Sequence, residues 1–296
     1  MFKTGYVTII GKPNVGKSTL INYMVGEKIS IVSFRPQTTR DRVLGIVNDE
    51  DSQLILVDTP GIHNPKNRLS EYMMKNVSSS IDGVDAIVYI IACDKALDEK
   101  EISQIQRYSS MGTPFFIAIN KCDEVKQDVI FKKIEQLKDV SSVLAIIPIS
   151  AKTGKNVDYL KSEIKKILPE AEARFDEDEI TDKSTRFIVG EYIREKALKL
   201  LGDEIPYGVG IVINKFQYRE NGIVDIDADI VCEKQAHKSI IIGKNGAMIK
   251  EISSQARKDM EELLQTKVFL TIFVKVKEDW RNNPSVLSNL GYSNNL

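Results

Sequence analysis

The pattern of apolar and polar positions divides the chain into two parts. In the first part, short apolar runs alternate with amphipathic stretches, as in a mainly parallel sheet with helices on both faces. Strands are predicted at residues 6–10, 44–47, 53–57, 86–92, 115–120 and 145–149. Helices are predicted at residues 17–25, 100–109, 130–138 and 157–168. Residues 1–170 are therefore predicted to form an α/β domain.

The composition changes between residues 171 and 183, where six acidic residues stand against two basic ones. A stretch with so little to bury is typical of a linker between domains. After it, the pattern predicts a helix at 186–201, antiparallel strands at 209–218 and 223–232, a helix at 247–265 and a strand at 268–277. Residues 184–296 are therefore predicted to form a smaller α+β domain.

The overall charge gives no general attraction to nucleic acid, because the net charge of the 296 residues is −1. A polyanion must therefore bind at a local patch. The three cysteines match neither a disulfide framework nor a zinc site. No apolar run reaches membrane-spanning length and no signal peptide precedes the first strand, so we expect a cytoplasmic protein.

Residues 11–18 fit the phosphate-binding pattern G-x-x-x-x-G-K-[ST] between a predicted strand and a predicted helix. The glycines let backbone N–H groups approach phosphate oxygens, and the helix N-terminus adds partial positive charge. In this pattern Lys17 reaches the β- and γ-phosphates, and the Ser18 hydroxyl binds Mg²⁺. The predicted phosphate contacts are Gly11, Lys12, Pro13, Asn14, Val15, Gly16, Lys17, Ser18 and Thr19.

A second phosphate-site motif, Asp-Thr-Pro-Gly, begins at Asp58 after a predicted strand. Asp58 is predicted to hold Mg²⁺ directly or through water, and Gly61 to donate its N–H to the γ-phosphate. Small GTPases have a glutamine after this glycine that orients the attacking water, whereas this chain has Ile62. We therefore expect slow intrinsic hydrolysis, with backbone groups holding the water. His63 is an alternative base.

The sequence Asn-Lys-Cys-Asp at residues 120–123 predicts recognition of guanine. The Asp123 carboxylate can accept hydrogen bonds from N1–H and the exocyclic amine of guanine, which adenine does not offer, so an ATPase is disfavoured. The stem of Lys121 can pack over the base. The N–H of Ala151, after the next strand, is expected to meet the guanine carbonyl. The predicted base contacts are Asn120, Lys121, Asp123, Ser150, Ala151 and Lys152.

A glycine loop, Gly-Lys-Asn-Gly at residues 243–246, lies between a short apolar helical stretch and an amphipathic helix. In KH domains such a loop clamps about four nucleotides of single-stranded RNA. The predicted RNA contacts are His237, Lys238, Ile242, Gly243, Lys244, Asn245, Gly246 and Lys250. The alternative is an ordinary turn with a solvated basic face, which the balance of 16 basic and 15 acidic residues in 184–296 allows.

The nucleotide motifs, in this order, resemble the translation-factor class of GTPases. The resemblance implies that residues 36–42, Pro-Gln-Thr-Thr-Arg-Asp-Arg, form the first switch loop. Thr39, or alternatively Thr38, is then implied to sense Mg²⁺ and the γ-phosphate. The implied metal ligands are Ser18, Thr39 and Asp58, and the implied catalytic residues are Lys17, Thr39, Gly61 and Asn14.

With a P-loop GTPase domain, an acidic linker and a type II KH domain, the whole chain resembles the Era family of bacterial ribosome-assembly GTPases. The tail motifs at 278–282 and 290–292 extend the resemblance. It implies a GTP-hydrolysing switch with Mg²⁺ as cofactor, and K⁺, held by Asn14, as a further one. It also implies binding near the 3′ end of 16S rRNA and a role in assembling the small ribosomal subunit. A monomeric state and a peripheral contact at the inner face of the cell membrane are expected as well. The alternative is a regulatory GTPase whose C-terminal module binds protein or membrane.

Overall fold

The computed structural model describes residues 1–35 and 37–292. Pro36, in the predicted first switch loop, and residues 293–296, at the end of the predicted KH domain, lie outside the described residues. The chain forms two compact units. The first unit contains Met1–Ser30, Thr39–His63 and Met73–Asp182, and the second contains Ile31–Thr38, Asn64–Tyr72 and Lys183–Leu296.

The first part of the chain alternates strands and helices, as predicted. Its elements are β1 (Lys3–Ile10), α1 (Lys17–Val25), β2 (Val43–Asp49), β3 (Ser52–Asp58), α2 (Arg68–Ser79), β4 (Ala86–Ala92), α3 (Glu99–Ser109), β5 (Phe115–Asn120), α4 (Gln127–Leu137), β6 (Val143–Pro148) and α5 (Val157–Ile167). The strand order is β2-β3-β1-β4-β5-β6. Of the five neighbouring strand pairs in this order, β2–β3 is antiparallel and the other four are parallel. The predicted mainly parallel α/β sheet is confirmed.

The centre of this sheet forms the core of the first unit. Strands β3, β4 and β5 are buried along their whole length, which explains their continuous apolar sequences. Because parallel strands end at the same edge of a sheet, the segments that follow β1, β3 and β5 gather there. Those segments carry the three motifs predicted to bind nucleotide.

Helix α2 was not predicted from the sequence. Its buried apolar residues Leu69, Met73 and Val77 recur every four positions, which is the signal that identifies it.

The acidic segment before Lys183 is mostly exposed, yet it contacts the first unit at several points. The Ile46 N–H donates to the Ile180 carbonyl at 2.9 Å, so the segment pairs with the edge strand β2. Phe175 packs against the apolar cluster of Leu44, Ile55 and Val57. Apolar residues within an acidic sequence, together with the free backbone groups of an edge strand, account for this packing.

The second unit is a three-stranded sheet with helices packed on its apolar face. Its main elements are α6 (Thr185–Leu200), β7 (Gly210–Tyr218), β8 (Val224–Cys232), α7 (Gln235–Ile242), α8 (Ala247–Leu264), β9 (Val268–Val276) and α9 (Pro284–Asn289). Strand β8 lies between antiparallel β7 and parallel β9. The predicted α+β organisation and the β7–β8 pair are confirmed. Ile31 is buried in the same apolar cluster as the sheet and helices of this unit.

Candidate functional site

The loop between β1 and α1 has the backbone geometry of a phosphate-binding loop. Gly11 has φ +151°, and a Cβ there would lie 2.3 Å from the Ile90 carbonyl oxygen, so only glycine fits. Gly16 has φ +104° and Asn14 has φ 64°. Helix α1 begins at Lys17, directly after the loop, so its N-terminal partial positive charge faces the same place. The predicted contacts of residues 11–19 thus lie on one concave loop and the first turn of its helix.

The Lys17 side chain folds back over this loop. Its Nζ donates to the carbonyl oxygens of Gly11 at 3.3 Å and Lys12 at 3.1 Å. Burial lowers the pKa of Lys17 to about 8, and the charge of nearby Asp58 acts against this shift. Lys12 differs from the prediction in its side chain, which pairs with Asp98 at 2.6 Å and Glu101 at 3.1 Å. Its backbone alone therefore faces the phosphate site.

Three oxygen-bearing side chains meet beside the loop. The Ser18 hydroxyl donates to Asp58 Oδ2 at 2.8 Å, and its oxygen lies 3.0 Å from Thr39 Oγ1. Asp58 is fully buried, and its Oδ1 has no hydrogen-bond partner among the described residues. Burial raises the pKa of Asp58, whereas Lys17 acts to lower it. Buried oxygens that include an unpartnered carboxylate atom suit Mg²⁺, which prefers hard oxygen ligands.

The choice between the two adjacent threonines follows from their hydroxyl partners. The Thr38 hydroxyl donates to the Arg35 carbonyl at 2.6 Å, within its own segment. Thr39 is the residue that the structure brings to Ser18 and Asp58.

The segment after Asp58 closes onto the phosphate loop through its backbone. A Cβ at Gly61 would lie 2.8 Å from Pro13 Cγ, and the Ile62 N–H donates to the Gly11 carbonyl at 3.2 Å. The Ile62 side chain packs against an apolar core cluster, so it leaves the water position to other groups. His63 Nδ1 lies 2.7 Å from the Gly61 carbonyl oxygen, which fixes the ring beside this turn.

Asn120 joins the guanine motif to the phosphate loop. It is 3% exposed, and its Nδ2 donates to the Val15 carbonyl at 2.8 Å. Its Oδ1 accepts from the Ala151 N–H at 2.8 Å, so a guanine carbonyl would have to share that donor. The sequence predicted Asn120 as a base contact and missed this connecting role. Asp123 is exposed at the same loop, as a base-recognising carboxylate requires.

The other predicted base residues surround this loop. Lys121 has φ 65°, a left-handed conformation that turns the chain after β5. Ser150 is fully buried and its Oγ accepts from the Thr153 N–H at 3.2 Å, whereas Lys152 is exposed. The structure thus brings the three motifs together at one edge of the sheet.

The glycine loop of the second unit connects α7 to α8. Gly243 has φ +73°, and a Cβ there would lie 2.7 Å from Met248 Cβ, whereas a Cβ at Gly246 would meet open space. Asn245 also has a left-handed conformation, with φ 52°. Among the predicted RNA contacts, Lys244, Asn245 and Lys250 are exposed, and Lys238, Ile242, Gly243 and Gly246 are half-buried. His237 is only 8% exposed, so its ring offers little surface to RNA.

Comparison with known proteins identifies both parts of the chain. A family model described as 50S ribosome-binding GTPase matches residues 6–121, and a KH domain model matches residues 204–281. GTPase Era of Clostridium botulinum strain Hall is 46% identical over 294 residues, which are 99% of each protein. GTPase Era of Ruminiclostridium cellulolyticum is 44% identical over 294 residues, with the same 99% coverage of both.

Solved structures agree over the whole chain. A crystal structure of Era in complex with MgGDPNP and nucleotides 1506–1542 of 16S ribosomal RNA matches with a TM-score of 0.94 and 37% identity. It covers 99% of this chain and 100% of that one. A variant of Aquifex aeolicus Era bound to GDP and AlF4⁻ matches with the same TM-score, identity and coverage. These findings confirm the resemblance inferred from the motifs, and the chain belongs to the Era family of GTPases.

Proposed function

We propose that this GTPase is a molecular switch that binds the 3′ region of 16S rRNA through its second unit and assists assembly of the small ribosomal subunit. The observation that carries the proposal is the match, over 99% of the chain, to an Era structure crystallised with nucleotides 1506–1542 of 16S ribosomal RNA. The exposed loop at Lys244 and Asn245 supplies a surface of the required chemistry.

In the nucleotide site, we assign Mg²⁺ to Ser18, Thr39 and Asp58. These residues would hold the ion beside the phosphates, where its charge would offset the negative charge that develops during hydrolysis. The backbone N–H groups of residues 11–12 and 14–19 cradle the phosphates (Pro13 has no N–H), Lys17 reaches the β- and γ-phosphates, and Gly61 donates to the γ-phosphate. Asn120, Lys121, Asp123 and residues 150–152 surround the base. The support for this assignment is the convergence of all these residues at one edge of the first sheet.

Hydrolysis has no glutamine to orient the water, because the residue after Gly61 is Ile62, which packs against an apolar core cluster. We propose that backbone groups of the two switch segments hold the water and that K⁺, held by Asn14, supplies the charge that an arginine finger gives elsewhere. The left-handed backbone of Asn14, with φ 64°, places this residue within the phosphate loop itself. Hydrolysis rates in K⁺ and Na⁺ buffers of equal ionic strength test the idea, and equal rates would refute it.

RNA binding through the glycine loop is tested by replacing its two exposed inner residues. The double variant Lys244→Asp with Asn245→Asp keeps both glycines, and aspartate tolerates the left-handed conformation at position 245. We expect a large loss of affinity for a 16S 3′-end RNA and a shallower salt dependence in the double variant. The matched control is Lys267→Asp, which reverses a charge beyond the far end of α8, an 18-residue helix about 27 Å long.

Equal RNA affinity of the double variant and the parent would favour the alternative, a regulatory GTPase whose C-terminal module binds a protein or a membrane. No helix within residues 1–35 and 37–292 is long and apolar enough to cross a membrane. The monomeric state and the peripheral membrane contact stay predictions from the family resemblance. Sedimentation and co-flotation with lipid vesicles test them.

A further inference from the structure

The segment Ile31–Thr38 lies against helix α6 within the second unit. The Ile31 side chain is 2% exposed and belongs to the same apolar cluster as Val189 and Ile193 of that helix. The Arg35 guanidinium donates to the carbonyl oxygens of Leu201 at 2.5 Å and Asp203 at 3.3 Å, just beyond the end of α6. An apolar anchor and a basic side chain therefore fix the two halves of this segment.

Two charged residues of α6 bind the backbone of the same segment. Glu195 Oε1 accepts from the Val32 N–H at 3.0 Å. The Arg194 guanidinium donates to the Thr38 carbonyl and lies 3.5 Å from the Gln37 carbonyl oxygen. Both charged residues are 0% exposed. Arg194 also pairs with Glu191, its Nε donating to Glu191 Oε1 at 2.7 Å.

Because Arg194 and Glu195 are fully buried, their hydrogen bonds to the segment form only when its backbone has the observed conformation. A buried charge is strongly unfavourable unless hydrogen bonds and opposite charges surround it. Glu195 also pairs with Lys196 and Lys199 on the same helix, as Arg194 does with Glu191. The groups that both residues bind on the segment, however, are backbone C=O and N–H groups, whose positions depend on conformation and not on side-chain identity. Withdrawal of the segment would leave both residues with fewer partners in a buried place. Helix α6 therefore favours one conformation of residues 31–35 and 37–38.

That conformation bears on the nucleotide site through a single peptide bond. The carbonyl of Thr38 and the nitrogen of Thr39 share one planar peptide unit, so fixing the carbonyl orients the residue that follows. Thr39 Oγ1 lies 3.0 Å from Ser18 Oγ, which in turn donates to Asp58 at 2.8 Å. The peptide unit whose carbonyl Arg194 binds therefore also contains the nitrogen of Thr39, the residue whose hydroxyl is assigned above to Mg²⁺.

We propose that Arg194 and Glu195 are positioning residues that hold residues 31–35 and 37–38 in the conformation in which Thr39 meets Mg²⁺ and the γ-phosphate. The proposal rests on the nucleotide assignment of the previous subsection. It makes α6 a specificity element for the triphosphate, because GDP has no γ-phosphate for Thr39 to meet. If the contacts with α6 increase the affinity for the triphosphate by some factor, thermodynamic linkage requires that triphosphate binding stabilise those contacts by the same factor.

The variants Arg194→Ala and Arg194→Lys test the proposal, with Arg186→Ala as the matched control. Arg186 lies on the same helix and also donates to backbone carbonyls, those of Ile213 and Asn214, but not to residues 31–38. With Mg²⁺ present, we expect Arg194→Ala to weaken GDPNP binding by roughly tenfold or more, from the loss of charge-assisted hydrogen bonds.

The ratio of GDPNP to GDP affinity is the decisive readout. In Arg194→Ala, the GDP affinity should stay within about twofold of the parent. The affinity ratio of Arg194→Lys should lie between those of the parent and Arg194→Ala, because lysine keeps the charge but not the planar guanidinium. Arg186→Ala should keep the parental ratio. A general loss of structure would lower both affinities together, so it would not change the ratio. An unchanged ratio in a folded Arg194→Ala protein would overturn the proposal.

Hydrogen exchange of the Val32 amide in the parent protein gives a second test that does not depend on how a variant folds. The proposal expects slower exchange with Mg²⁺ and GDPNP than with Mg²⁺ and GDP, because the Val32 N–H is bound to Glu195 in the triphosphate conformation. Equal exchange in the two states would overturn it. Failure of the parent protein to bind GDPNP at all would instead refute the nucleotide assignment on which the proposal rests.

Discussion

Replacing Asn120 by alanine should destabilise the first unit even without nucleotide. The Asn120 side chain is 3% exposed and connects the Val15 carbonyl to the Ala151 N–H through two hydrogen bonds of 2.8 Å. Removing it leaves one buried acceptor and one buried donor without a partner. A buried backbone group left unsatisfied in this way costs about 1–3 kcal/mol.

The expected loss of stability from the two orphaned groups is therefore about 2–6 kcal/mol. For a unit of this size, each kcal/mol lowers the melting temperature by about 2–4 °C. Thermal unfolding of nucleotide-free protein, followed by circular dichroism, measures the effect. The matched control is Asp123→Asn in the same motif. Because the Asp123 side chain is exposed, its replacement should change binding of the base but not the stability of the nucleotide-free protein.

The two variants separate structural support from base recognition. We expect Asn120→Ala to lower both the melting temperature of the nucleotide-free protein and its affinity for GTP, and Asp123→Asn to lower only the affinity. An Asn120→Ala protein that melts like the parent but no longer binds GTP would refute the reasoning, since Asn120 would then act through the base alone.

Four further predictions concern the base, the phosphate lysine (two of them) and the glycine loop. Asp123→Asn should shift preference from GTP toward XTP in competition binding, because an amide can donate to the xanthine carbonyl, and unchanged GTP affinity would contradict the base assignment. Burial lowers the pKa of Lys17 to about 8, whereas the ordinary value for lysine is 10.5. Between about pH 8 and 10.5 the unfolded chain therefore binds more protons at this residue than the folded one. The free energy of unfolding of the nucleotide-free protein should rise with pH across that window. Phosphates favour the charged amine of Lys17, so GDPNP binding at pH 9 should be accompanied by uptake of a proton. Calorimetry in buffers of different ionisation enthalpy measures this uptake, which should be absent in Lys17→Met. Gly243→Ala should lower the melting temperature more than Gly246→Ala, because only the former places its Cβ 2.7 Å from Met248 Cβ; equal losses would mean that the backbone strain alone matters.

The sequence was sufficient for the nucleotide motifs because each depends on a local rule. Glycines at positions 11 and 16 allow backbone conformations that few other residues adopt, and Asp58 and Asn120 end buried strands. Such rules act over a few residues, so spacing alone reveals them. The strands were predicted for the same reason, since a continuous apolar run is visible wherever a strand is buried on both faces.

Features that depend on distant parts of the chain were not predictable in this way. Arg194, Glu195 and Lys196 form a charged run that typically marks a solvated helix face, yet Arg194 and Glu195 are fully buried. The backbone groups that they bind lie 156 to 163 residues earlier in the chain. The acidic segment before Lys183 has the composition of a linker, and only the free edge of β2 explains why it packs. In both cases the deciding group is remote in sequence.

The burial of Ile31 among the helices of the second unit limits how this protein can be divided for experiments. A fragment of residues 184–296, cut at the boundary that composition indicates, would lack this side chain. The apolar residues that surround Ile31 would then be exposed to water. Burial of an isoleucine side chain in such an apolar site contributes about 1.5–3 kcal/mol to the free energy of unfolding. The same cut would strip Arg194 and Glu195 of backbone partners. An isolated C-terminal fragment should therefore be less soluble and less stable than its sequence suggests, and its RNA affinity would underestimate that of the intact chain.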